Sequence, residues 1–143
     1  MASEAIEEQV DLLYKHAVAD NKEMNNVLFS IEPFNMPFAH STDSAYPHPS
    51  NRQVTPSTPT LFYVNPEDDT YFENALRRLV NAVQTVAVNE GESSWDNLYC
   101  PNYALADTPL VQMYGSNVDR LRKIRERVDP DNIMLLTGGF KFV

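Results

Sequence analysis

The chain has 143 residues, 43% of them apolar, enough for one compact domain with a real core and too few for two. Its 20 acidic residues against 11 basic ones leave a formal charge of -9, which repels phosphate backbones and anionic lipid surfaces and sets nucleic acid and membrane aside as partners. Cys100 is the single cysteine, so no internal disulfide can form, and the three histidines lack the spacing of a zinc site.

No run approaches the roughly 18 apolar residues that span a bilayer. The opening "MASEAIEEQVDLLYKH" is acidic, unlike the basic then apolar start of a signal peptide, so a cytoplasmic protein is expected. Within that opening, Ile6, Val10, Leu13, Tyr14 and Ala17 recur at helical spacing behind Ser3, an N-cap residue, and predict an amphipathic helix over residues 4 to 19. "NNVLFSIEPF" follows as a strand that Pro33 stops or places at an edge. Residues 35 to 59 carry five prolines among hydroxyl and amide side chains, the composition of a long irregular loop.

"TLFYV" reads as the second strand. Asn65 and Pro66 then open a helix as N-cap and first residue, with Asp68 and Asp69 in its positive first turn and an apolar stripe through Phe72, Leu76, Leu79, Val83, Val86 and Ala87 before Gly91. After an irregular segment, a third helix starts at Ser116, shows Val118, Leu121, Ile124 and Val128 on one face, and must end at "VDP", because the residue before a proline is pushed out of the helical region. A short terminal strand closes the order. The pattern is α+β: a small antiparallel sheet packed against helices in a single domain over residues 1–143. So small a sheet leaves an edge or face that a second copy of the chain would cover, which predicts a homodimer.

The last third carries the most specific signal. "NYALAD", "YGSN", "RL", "DPDN" and "GGFKF", in that order from Asn102 to Phe142, resemble the C-terminal end of the berberine bridge enzyme-like family of FAD-linked oxidoreductases, particularly its fungal members. Upstream, "SIEPFNM" followed by "AYPHPSNR", and then "TLFYVNPEDD", are similar to the later part of that family's substrate-binding half. The resemblance implies a domain without the family's FAD-binding portion, ending in a tail that in the family packs on that portion.

Departures from the family pattern shape the functional expectation. The family's Tyr-x-Asn-Tyr run reads "YCPNY" here, so Asn102 and Tyr103 carry over while Cys100 takes the place of the first tyrosine. The active-site Glu or Gln falls near Thr60 or Leu61, neither of which can serve as a carboxylate base. Asn35 and Met36 replace a glycine pair, and Pro49 replaces an arginine. Among Gly91, Gly115, Gly138 and Gly139 there is no phosphate-cradling spacing, so no bound cofactor is expected.

The candidate catalytic residues are Tyr103, His40, His48 and Glu32, and the candidate substrate-binding residues are Asn102, Asp43, Tyr46, Phe29, Phe62 and Tyr63. Tyr103 and Asn102 either line a ligand cleft or satisfy backbone groups beneath the helix that begins at Ser116. His40, Asp43, Tyr46 and His48 either form a proton-moving cluster, an imidazole beside a carboxylate, or serve as turn residues. Glu32 is an acid if it points inward and an ordinary solvated carboxylate if outward. Cys100, without a basic neighbour in sequence, reads as an inert thiol. The cations of the third helix, Arg120 to Arg127, either face an acidic surface of another copy or form a solvated face with an Asp119–Lys123 pair.

Three functions fit these residues. A cofactor-independent cyclase or isomerase would shape a small specialised-metabolite intermediate in an inherited pocket. A subunit would complete an FAD-dependent oxidase by docking on a separate FAD-bearing chain. A non-catalytic module would bind the small molecule and release it unchanged.

Overall fold

The computed structural model describes residues 2–33, 44–47 and 55–143. They fall into two compact units, one of residues 1–32 and 57–97 and one of residues 33–56 and 98–143.

The first unit is a helix, a two-stranded sheet and a second helix. Helix α1 (Ala2–Ala19) begins before Ser3, so that hydroxyl lies inside the helix rather than at its cap. The helix buries Leu13 and Ala17 and stops where Asn21 turns left-handed at φ 54°. There the Lys22 N–H donates to the Ala17 carbonyl at 2.7 Å, which occupies one of the helix's last acceptors. Strand β1 (Met24–Ile31) pairs antiparallel with β2 (Ser57–Tyr63), Val27 opposite Leu61 and Phe29 opposite Pro59, with an irregularity between Met24 and Asn26. β2 therefore starts earlier than "TLFYV" predicts and contains Pro59. Among the described residues the sheet has two strands, each with an outer edge, the kind of strand on which proline is tolerated.

Helix α2 (Asp69–Asn89) follows a 3-10 turn at Pro66–Asp68 that Asn65 precedes. Phe72, Ala75 and Leu79 recur every three or four residues and face inward, so one stripe of α2 meets Leu13 of α1. Val27, Phe29 and Leu61 close that core from one side of the sheet. Phe72 is held on two sides, stacked on Tyr63 at 4.4 Å and edge-on to Tyr71 at 5.2 Å. Lys22 reaches the buried Asp68 carboxylate at 2.6 Å and lies 5.7 Å from the centre of the Tyr71 ring, which anchors the turn after α1 to the entry of α2.

The second unit has short helices and no strand among its described residues. Helix α3 (Leu110–Tyr114) passes through a 3-10 turn at Gly115–Asn117 into helix α4 (Val118–Val128), and a last 3-10 turn spans Ile133–Leu136. At five residues, α3 is too short for apolar periodicity to reveal it in the sequence. α4 ends one residue before Asp129-Pro130, as the proline requires. The expected terminal strand is not formed. Instead Lys141 wraps back to the carbonyls of Met134 and Gly138, at 2.6 and 3.0 Å, and Phe142 lies edge-on to Tyr114 at 5.0 Å. On α4, Asp119 meets Arg122 at 3.4 Å rather than Lys123. Arg122 and Arg125 also donate to the carbonyls of Val143 and Phe142.

Candidate functional site

The site builds up around one turn of the second unit. Cys100-Pro101-Asn102-Tyr103 closes through the Tyr103 N–H, which donates to the Cys100 carbonyl at 3.0 Å. Pro101 occupies the position where a fixed φ favours such a turn. Asn102 and Tyr103 are thereby carried outward, and Tyr103 keeps 43% of its surface exposed. One residue before the turn, the Tyr99 N–H donates to the Gln112 carbonyl at 2.8 Å, so the turn is tied to α3 through the backbone.

Residues 44–47 run alongside. The Tyr46 hydroxyl donates to the Leu98 carbonyl at 3.1 Å, and the Ser44 hydroxyl donates to the Tyr46 carbonyl at 2.6 Å. Burial first, and then the charge Cys100 would carry as a thiolate, push the Tyr46 phenol above its ordinary value. Its hydroxyl ties residues 44–47 to the segment just before the turn. Asn117 holds the same segment from below, its side-chain amide donating to the carbonyls of Ser44 and Ala45 at 3.1 and 3.2 Å. Gly115 makes the approach possible: its backbone adopts φ 51°, and a Cβ there would touch Pro47 at 3.4 Å and Leu98 at 3.5 Å.

The sequence candidates are thus distributed unevenly. Asn102 and Tyr103 belong to the turn, and Tyr46 is bonded to Leu98 just before it. Phe29, Phe62 and Tyr63 belong to the first unit, as does Glu32, which is half-buried just beyond the end of β1. Phe29 packs into the core, whereas Phe62, one residue out of phase with Leu61, lies on the opposite face of the sheet and is 47% exposed. The two phenylalanines therefore form no common wall. Tyr63 stacks on Phe72 and donates to Asp69 at 2.6 Å, and that bond, with burial and the nearby carboxylates behind it, pushes its phenol up to about 12. His40, Asp43 and His48 lie outside the described residues.

Gly115 and Asn117 have roles the sequence reading did not assign. Their signal was the "YGSN" motif, conspicuous as a family mark yet silent about what the glycine and the amide touch.

Residues 101–134 match the model of the family described as "Berberine and berberine like". The berberine-like segment covers about a quarter of the chain. It begins at the turn proline and ends in the last 3-10 turn. No curated protein and no solved structure matches the chain.

The motif residues inside and just beyond this segment mostly perform scaffolding. In "DPDN", the Asp129 carboxylate accepts from the N–H groups of Ile133 and Met134 at 2.8 and 3.0 Å while Asn132 turns left-handed. In "GGFKF", the lysine and the second phenylalanine bind the tail to its own unit. Gly115 faces the Pro47 and Leu98 side chains, Gly91, Gly138 and Gly139 face open space, and the Lys141 ammonium beside Gly138 is engaged by carbonyl and hydroxyl oxygens. Among the described residues no group of three His, Cys, Asp or Glu side chains is arranged to hold a metal ion, and no helix is long and apolar enough to cross a membrane.

Proposed function

We propose that the chain is a cofactor-independent cyclase or isomerase acting on a small specialised-metabolite intermediate. One observation carries the reading: Tyr103 is half-exposed on a turn whose backbone is fixed by its own hydrogen bond and by the neighbouring bond to α3. A donor held in place before the substrate arrives needs no reorganisation as charge builds on a carbonyl or enol oxygen, and Asn102 beside it offers a second polar contact. Such a ring closure or isomerisation returns every proton it borrows, so it asks for shape and polarity rather than an oxidant. Glu32, His40 and His48 are the further acid–base candidates.

Tyr103→Phe deletes the hydroxyl and keeps the ring. In buffer free of flavin and nicotinamide, conversion of pathway intermediates should fall by about 10- to 1,000-fold, the range expected for one lost oxyanion-type contact. Undiminished conversion by the folded variant would place the donor elsewhere. Binding of an intermediate by the unmodified protein without any conversion would replace the enzyme with a non-catalytic binding module. Turnover that appears only when a flavoprotein is added would make the chain an oxidase subunit.

A further inference from the structure

The turn that carries Tyr103 leans on α3 through the Tyr99 N–H, which donates to the Gln112 carbonyl at 2.8 Å. Gln112 is itself exposed, so the two residues that follow it set where that carbonyl stands. Met113 is fully buried, and Tyr114 meets the ring of Phe142 edge-on at 5.0 Å. At five residues, α3 is far below the length at which a helix keeps its shape in water, and packing must hold it. Phe142 is well placed to do so, because the chain around it is tied down. Arg125 donates to its carbonyl at 3.1 Å, Arg122 donates to the Val143 carbonyl at 3.3 Å, and Lys141 donates to the Met134 and Gly138 carbonyls. These bonds fix residues 141–143 on α4 and the last 3-10 turn, and the Phe142 ring reaches from there to α3.

We propose that Phe142 is a positioning residue for the Tyr103 turn, its ring bracing Tyr114 so that α3 presents the Gln112 carbonyl to Tyr99. The inference rests on the reading of Tyr103 as the donor that meets substrate. Every link of the chain from Phe142 through Tyr114, Gln112 and Tyr99 to Tyr103 lies within the second unit. The Phe142 side chain carries neither charge nor hydrogen-bonding group, so its loss is felt through packing alone. An edge-on aromatic pair contributes enough to change local opening about tenfold.

Hydrogen exchange on the full chain, read amide by amide by NMR, tests this. Phe142→Ala should speed exchange of the Tyr99 N–H about 10-fold and of the Tyr103 N–H, one link further on, about 3-fold. The N–H groups of Ile133 and Met134, which Asp129 holds, should keep their rates. Phe142→Tyr retains the ring and should stay within about 2-fold of the unmodified chain. Adding Phe142→Ala to Tyr114→Ala should raise the Tyr99 rate no further, because the pair acts as one contact. If circular dichroism shows Phe142→Ala unfolded, Phe142→Leu carries the test with an expected rise of about 3-fold at Tyr99. Unchanged exchange at Tyr99, a uniform rise over residues 98–143, or additive effects of the two alanine substitutions would each overturn the proposal. Exchange is read without substrate, so its failure is distinct from a failure of the Tyr103→Phe conversion assay.

Discussion

The two units hold themselves together by different physics. In the first, two long helices press against one face of a sheet, and five side chains, Leu13, Ala17, Phe72, Ala75 and Leu79, form a buried apolar interior. In the second, only Met113 and Val118 are buried among the apolar residues described, and order comes from side chains bonded to backbone: Tyr46 to Leu98, Asn117 to Ser44 and Ala45, Asp129 to Ile133 and Met134, Lys141 to Met134 and Gly138. The lesson is that a recognisable motif set need not mark chemistry. Polar clamps demand particular residues at particular places, whereas an apolar core accepts many residues of suitable size, so a clamp-built unit carries the readable signature.

The strongest way to break this contrast is to truncate the core. Phe72→Ala should cost about 3 to 5 kcal/mol, read as faster hydrogen exchange at the amides of α1 and α2 and a lower urea midpoint. A cost below about 1 kcal/mol would mean that neither the interior nor the aromatic stack through Phe72 organises that unit. Gly115→Ala comes next. Its φ of 51° is unfavourable for any residue with a Cβ, and a cost of about 1 to 3 kcal/mol is expected, with exchange rising in α3 and at residues 44–47. Asn117→Ala leaves two carbonyls without their donor and should cost about 1 to 2 kcal/mol. Asn117→Asp, which keeps the shape but presents acceptors to acceptors, should do no better. Were Asn117→Ala neutral in both melting and exchange, the polar clamp would not be what holds the second unit.

The smallest effect concerns pH. Tyr63 has its folded phenol raised from an ordinary value near 10 to about 12 by its bond to Asp69. The folded state therefore holds this proton more tightly than the unfolded chain. That contribution is fully present below about pH 10 and is lost as pH rises through about 12. Tyr63→Phe should lower the melting temperature at neutral pH and flatten its alkaline fall between those values. An identical alkaline slope in the two proteins would show that the Asp69 bond does not hold the proton.

Much of the fold is legible in the sequence because its elements are written locally. α1, α2 and α4 show their apolar stripes, Pro33 and Pro130 mark where a strand and a helix must stop, and the α+β order follows. α3 is invisible because five residues hold little more than one turn. The candidate site is legible only in part. Asn102 and Tyr103 are recognised from the "YCPNY" run, and their exposure follows from the proline before them.

By itself, then, the sequence determines the three longer helices and the strand pair, the acidic balance and the berberine-like character of residues 101–134, since each of these depends on neighbours within a few positions or on motif order. Tertiary structure decides what those residues touch. Strand register alone sends Phe29 into the core and Phe62 to the outer face. Asn117 meets the carbonyl of Ser44 across 73 positions of chain. A hydrogen bond over that separation leaves no local periodicity, because it is selected by the closure of the whole unit rather than by the preferences of either residue.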